Sequence, residues 1–273
     1  MSRSKLVIPF FRILLTRPGI LLKSLFHGVN NFLMHEKVAR NYNLPNGFPC
    51  VDILDLLPDF NVQISNYSFL NGTSTPIDIA LLKALAASFK DCSYLEIGSW
   101  RGESIANVAD VAKDCTSISL SDSEMHALGF NERFTSMQRF FSKEKKNIEY
   151  IQHNSLTFDF SKLNKKFDLI FVDGDHAYEA VKKDTENVFG LLKDENSIIV
   201  WHDYAAAFEM PAWHVAAAIW DGTPADKRKN LYCVSNTLCA IYTTKKVKTS
   251  VLDYPTRPDK KFEVAIKATA IGK

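Results

Sequence analysis

Between residues 93 and 202 the sequence alternates repeatedly between short apolar runs and stretches of helical spacing. The runs 93–97, 116–121, 148–152, 167–172 and 197–202 have the length of strands, and 103–112, 132–145 and 178–192 carry the helix-like pattern between them. Strands separated by helices pair through crossover connections, which makes the sheet parallel and covers both its faces. Beyond them, LYCVSNTLCAIYTTKK (231–246) reads as two strands that turn at Ser235-Asn236, an antiparallel hairpin completing the sheet. The fold class is therefore α/β, with a mostly parallel sheet and a terminal antiparallel hairpin.

The flanks differ from this core. A helix is expected over 75–89, where Thr75 can cap, Pro76 takes the first helical position and Ile77, Leu81, Leu82 and Leu85 repeat at helical spacing. Residues 43–75 are rich in Pro, Asn, Gly and Ser and read as an irregular connector. Residues 1–42 hold Arg3, Lys5, Arg12, Arg17, Lys23, Lys37 and Arg40 against a single acid, Glu36, with bulky apolar residues between them. The charges and Arg17-Pro18-Gly19 interrupt every apolar run before it reaches bilayer-spanning length. Two readings stand for this segment: a basic amphipathic surface lying on an anionic membrane, or a helical arm packed on its own domain or on a second subunit. The chain thus divides into an N-terminal helical and irregular extension (1–75), a central domain (76–246) and a C-terminal tail (247–273).

Composition excludes some function classes. A formal net charge of +2 over 273 residues gives no global field for nucleic acid, and the lysines at 143, 145, 146, 182 and 183 read as solvated helix faces. Five cysteines, widely spaced and without a CxxC pair, read as core thiols of a protein from a reducing cytoplasm, with or without membrane association.

Chemistry is expected at one edge. Ligands of an open α/β sheet bind beyond the carboxyl ends of its strands. FDLIFVDGDH (167–176) and IIVWHDY (198–204) both end there, which brings Asp173 and Asp203 to one cleft. Two carboxylates so close repel unless a cation or a proton lies between them. Asp175 is expected to cap the helix that follows. In YLEIGSWRGES (94–104), Gly98 and Gly102 let the backbone turn tightly after a strand. The spacing is not the G-x-G-x-x-G of a nicotinamide-binding turn, and Glu96 would repel a pyrophosphate but attract a sulfonium or an amine.

This E-x-G-x-x-x-G run resembles the first motif of class I S-adenosylmethionine-dependent methyltransferases. The resemblance implies a Rossmann-like sandwich around a mostly parallel seven-stranded sheet. It also implies that Glu96, Gly98, Ser99, Trp100 and Gly102 surround the cofactor. Asp122, ending SISLSD, would hold the ribose hydroxyls, with Glu124 as a competitor for that role, and Asn154 and Ser155 would meet the adenine. Ser104 either binds the methionine carboxylate or caps its helix, and Trp100 either covers the cofactor or is a surface aromatic.

The D-G-D-H run with further acids after the next strand resembles the cation-dependent O-methyltransferases, closest to the macrocin, mycinamicin and rhamnosyl O-methyltransferase branch. That resemblance, spanning about residues 75–245, implies Asp173, shared with the cofactor site, and Asp203 as ligands of Mg²⁺ or Mn²⁺. His176 would be the general base that takes the proton of an acceptor hydroxyl. His202 departs from the pattern, since an acid is usual there. It either ligates a softer ion or hydrogen-bonds Asp203. The expected activity is methylation of a hydroxyl on a small substrate of sugar or natural-product type, under a lid drawn from 1–75 and 205–230, where the apolar residues of 205–222 suit either a lid or core packing. The competing readings are a metal-assisted oxygenase or hydrolase on the same scaffold, and a non-catalytic, membrane-docked binding subunit. Homo-oligomerisation through the N-terminal arm is a further expectation.

Overall fold

The computed structural model describes residues 7–271 of the chain, so Arg3 and Lys5 lie outside the described residues. The elements are, in chain order, α1 (Val7–Thr16), α2 (Pro18–Glu36), β1 (Cys50–Val51), α3 (Ile53–Leu56), α4 (Pro76–Ala87), β2 (Ser93–Ile97) and α5 (Glu103–Val108). They continue with β3 (Asp114–Ser119), α6 (Asp122–Ala127), α7 (Glu132–Thr135), β4 (Ile148–Gln152), β5 (Leu169–Val172), α8 (Tyr178–Phe189) and β6 (Ile198–Trp201). The last are β7 (Ala205–Ala207), β8 (Met210–Pro211), α9 (Trp213–Gly222), β9 (Leu231–Val234), β10 (Ala240–Tyr242) and β11 (Thr249–Ser250).

Nine strands form one sheet in the order β11-β1-β9-β10-β6-β5-β2-β3-β4. From β4 to β6 every pairing is parallel, and β10 and β9 enter antiparallel as the terminal hairpin. The α/β class and the hairpin are as expected. The two outermost strands, β1 and β11, extend the expected seven, because the connector after α2 and the tail each add two residues to the edge beyond β9. Strand order reverses at β2, with β3 on one side and β5 on the other, and a crevice opens at the carboxyl ends of such a pair.

Alternation along each strand builds a core on each face. Leu95, Ile97, Ile170, Val172, Ile199 and Trp201 face α8 and α9, where Val188, Val215 and Ala216 are buried. Tyr94, Leu169, Phe171, Ile198 and Val200 face α4 and α5. Glu96 shares the parity of Tyr94, so the period of two drives its carboxylate into this second core. α4 begins as expected, with Thr75 and Asp78 forming a capping box and Pro76 in the first turn.

Two expectations give way. The helix expected over 132–145 lasts only from Glu132 to Thr135. The chain then turns, and the amides of Arg139 and Phe141 donate to the carbonyls of Trp100 and Arg101, so bonds to the glycine turn replace those a longer helix would make. The apolar run of 205–222 is not a lid throughout. α9 buries Val215, Ala216, Ala217, Ala218 and Ile219 in the core, and only the β7–β8 ribbon before it is exposed. From the extension, it is Asn71 to Ser74 that reach over the cleft.

Candidate active site

Two glycines shape the turn after β2. Gly98 has φ of +99°, and a Cβ there would lie 2.0 Å from the backbone oxygen of Asp173. Gly102 has φ of +79°, and its Cβ would lie 2.2 Å from Ser142 Oγ. Both positions combine the left-handed region with backbone or side chain at contact distance, so each requires glycine. The close approach of Gly98 to Asp173 is what draws the ends of β2 and β5 together. A cavity of about 340 Å³ opens there, walled by Asn71–Ser74, Gly98–Ser104, Asp173, Gly174, His176, His202 and Asp203. That volume is in the range of small-molecule sites.

The cofactor candidates divide between this cavity and its surroundings. Gly98, Ser99, Trp100, Gly102, Ser104 and Asp173 line it. Trp100 stacks on Phe134 at 4.0 Å and donates to the Phe134 carbonyl, while the Arg101 guanidinium lies over its other side at 4.2 Å. Ser99 Oγ is buried at the wall. It lies near enough to Glu96 to favour the ionised carboxylate, yet makes no hydrogen bond of normal geometry among the described residues. Ser104 donates to Glu96 at 2.8 Å, and Tyr94 donates to the other oxygen at 2.7 Å. Glu96 itself sits just behind the wall, 1% exposed. Burial and then the Asp173 charge outweigh its hydrogen bonds and raise its pKa to about 7.

Asp122, Asn154 and Ser155 stand outside this cavity's lining, although they follow the neighbouring strands at the same edge. Ser121 caps α6 in a capping box with Glu124, which turns Asp122 outward at the first helical position, where it accepts from Gln138. Asn154 donates its amide to Glu124 and closes a turn by accepting from Leu156. Ser155 lies near enough to the buried Asp184 on α8 to favour its ionised form, but burial outweighs this and pushes the Asp184 pKa up to about 6.

At the acidic edge, His202 occupies the space between the carboxylates. Its Nδ1 lies 3.2 Å from Asp173 and 3.0 Å from Asp203, without a well-aligned hydrogen bond to either, and its Nε2 lies 3.2 Å from Asp78. Burial alone would lower its pKa, but Asp173, Asp203 and Asp78 together hold it well above the ordinary histidine value. The imidazolium is thus a built-in cation of the kind two adjacent carboxylates require. Asp203 has φ of +54°, a strained region for a non-glycine residue. Although burial opposes it, the imidazoles of His176 and His202 beside it hold its carboxyl well below the usual range. His176 Nδ1 lies 2.9 Å from the same Asp203 oxygen, which raises the His176 pKa. Ser74 donates to Asp173 at 3.1 Å. Asp175 accepts from the Ala177 amide in a turn before α8; Ala177 is the N-cap and no side chain caps the helix, so Asp175 does not cap it as expected.

For a divalent ion, the donors that lie close together among the described residues are Asp173, His176 and Asp203, with ligand atoms within 4.8 Å of one another. Two carboxylates and an imidazole facing an open cavity fit an ion of intermediate softness such as Mn²⁺ better than Mg²⁺. His202 is turned to three carboxylates instead.

Three residues of the site carried no expectation. Asp78 is fully buried and accepts from Thr75, from the Leu238 amide and from His202. In sequence it is visible only as the acid of a capping box. Arg101 and Glu103 form a buried pair that stitches the connector to the glycine turn. Arg101 donates to the Asn71 carbonyl and to Thr73, and Glu103 accepts from the Ser68 amide, Ser68 Oγ and Thr73. The charged pair inside a glycine turn is the one signal that could have marked them.

A scan against protein families matches residues 95–204 to Methyltransf_24, a methyltransferase domain. No curated protein matches the chain. Among solved structures, cofactor-bound Rv0187 from MTB is similar at 18% identity and a TM-score of 0.46, over 64% of this chain and 82% of that one. The O-methyltransferase TomG from Streptomyces achromogenes, in complex with SAM, is similar at 14% identity and a TM-score of 0.43, over 77% and 88%. CalS11, a TDP-rhamnose 3'-O-methyltransferase of calicheamicin biosynthesis, is similar at 13% and 0.44, over 62% and 80%. At these distances the structures say nothing about substrate. The matched residues run from the glycine turn through the D-G-D-H edge to His202 and Asp203, so the part of the chain that is similar to a methyltransferase domain is the part that builds the cavity.

Proposed function

We propose that the chain transfers the methyl group of S-adenosylmethionine to a hydroxyl of a small substrate of sugar or natural-product type, with His176 as general base. The observation that carries this reading is the His176–Asp203 pair on one wall of the cavity whose other wall is the glycine turn. Gly98, Ser99, Trp100, Gly102 and Ser104 would bracket the methionine end of the cofactor, with Glu96 behind them drawing its cationic groups. The adenosine end would run along the carboxyl edge toward Asp122, Asn154 and Ser155.

Methyl transfer is an in-line displacement. The acceptor oxygen attacks the methyl carbon as the carbon–sulfur bond breaks, and the site must hold the three atoms in register and exclude water. Nδ1 of His176 lies 2.9 Å from Asp203, a placement that would orient the ring and leave Nε2 to take the acceptor proton. Ser74 and its neighbours, held down by Arg101 and Glu103, narrow the mouth over Asp173. A divalent ion would be held by Asp173 and Asp203, with His176 left for the proton, and when bound would acidify the acceptor hydroxyl.

The test is transfer of a labelled methyl group from S-adenosylmethionine to a panel of glycosides and phenols, with and without Mn²⁺. Labelled acceptor formed by the wild type and not by His176→Ala supports the reading. Label appearing on amines or carbon centres, with the hydroxyl compounds untouched, overturns it.

A further inference from the structure

From Phe11 to Leu33 the chain is almost wholly exposed, although it is helical and rich in large apolar side chains. On α2, Leu22, Leu25, Phe26, Val29, Phe32 and Leu33 recur at spacings of three and four and share one stripe, each between 46% and 69% exposed. Ser24 and Asn31 lie on the opposite side. A helix of this length gains little from local propensity alone, so packing of its apolar face must supply most of its stability. The described residues offer that stripe no such cover.

The far end of α2 is firmly fastened. His35 packs against Trp213 with ring centroids 4.4 Å apart. Just beyond, Lys37, Tyr42 and Tyr178 all donate to Asp221, Lys37 and Tyr42 each at 2.7 Å. Tyr178 begins α8, two residues after His176, so the arm is joined to the domain beside the active-site edge. The stripe is therefore held outward on an anchored element.

Charge decides between occupants. Arg12, Arg17 and Lys23 are exposed along the arm, and no acid occurs between residues 1 and 35. Two copies meeting through the stripe would bring these cations together with nothing to answer them. An anionic lipid surface answers all three, while the stripe enters the boundary between headgroups and acyl chains. No described helix is long and apolar enough to cross a membrane, so the arm would lie in the interface. We infer that the α1–α2 arm docks the enzyme on the surface of a bilayer containing anionic phospholipid. This inference does not depend on which acceptor the active site takes.

The test is co-sedimentation of the full chain with vesicles of phosphatidylcholine containing phosphatidylglycerol, against vesicles of phosphatidylcholine alone. The wild type should sediment with the anionic vesicles and lose most of that binding as added salt shortens the screening length. Arg17→Gln/Lys23→Gln should weaken partitioning by about 25-fold, at roughly fivefold for each charge removed. Leu25→Ser/Phe26→Ser/Phe32→Ser should abolish it while leaving the far-ultraviolet circular dichroism of the domain intact, because these side chains contact no core. Equal sedimentation with both vesicle types, or unchanged binding in either variant, overturns the proposal. So does a lipid-free dimer in analytical ultracentrifugation that the serine variant converts to monomer, which would make the stripe a subunit interface.

Discussion

Ser104 Oγ donates to Glu96 at 2.8 Å, so a residue on the cavity wall is bonded directly to a carboxylate buried behind it. The proton balance of that carboxylate is the most exposed point of the account, because its pKa of about 7 stands against an ordinary 4.5.

Between those two pH values the native chain keeps a proton that the unfolded chain has released, so stability should fall as pH rises from about 4.5 and level off above about 7. The whole effect is on the order of 3 kcal/mol. Glu96→Gln removes the titration. Urea unfolding should show the variant more stable than wild type at pH 8 by up to about 3 kcal/mol and nearly equal at pH 5.

His176 should be dispensable for binding and indispensable for transfer. His176→Ala is expected to lower kcat by about 10²- to 10⁴-fold with the affinity for S-adenosylmethionine unchanged, measured by single-turnover kinetics and by calorimetry. A variant with full kcat would remove His176 from the base role.

The contact between Gly98 and Asp173 predicts a steep cost for one methyl group. Gly98→Ala places a Cβ 2.0 Å from backbone at a positive φ, so turn and strand must separate. Thermal unfolding should show a loss of more than about 2 kcal/mol, together with loss of cofactor binding. Gly190→Ala, whose Cβ would sit at an ordinary 3.5 Å from the Asn187 carbonyl, is the control and should be nearly neutral.

His202 is the charge that lets Asp78, Asp173 and Asp203 coexist. His202→Ala should destabilise the chain by about 3–5 kcal/mol in denaturant titration, since it leaves the buried Asp78, beside two part-exposed carboxylates, without a compensating charge. Asp78→Asn, which keeps the shape and removes one charge, should cost less.

What the sequence made legible follows from where local pattern controls structure. The runs 93–97 and 148–152 are strands β2 and β4 to the residue, because their apolar content and flanking turns agree with the sheet. Thr75 and Pro76 announce the start of α4 by capping chemistry that acts within one turn. The helix expected over 132–145 stops early because the outcome depends on carbonyls of Trp100 and Arg101, more than thirty residues away. The same holds at the site. Gly98, Asp173, His176 and Asp203 converge because strand ends of a doubly wound sheet must. Asp122 faces outward because Ser121 and Glu124 cap its helix, a pattern written in the sequence beside it. The second role of Asp78, gripping His202 across 124 residues, has no local trace at all.

The central claim is that the cavity between the glycine turn and the acidic edge receives S-adenosylmethionine. Calorimetric titration of the intact chain with that cofactor near pH 7 tests it most directly. One saturable site is predicted, lost in Gly102→Val, whose first added carbon would fall 2.2 Å from Ser142 Oγ. Wild-type protein that takes up no S-adenosylmethionine, or whose site is filled instead by a nicotinamide dinucleotide, would contradict it.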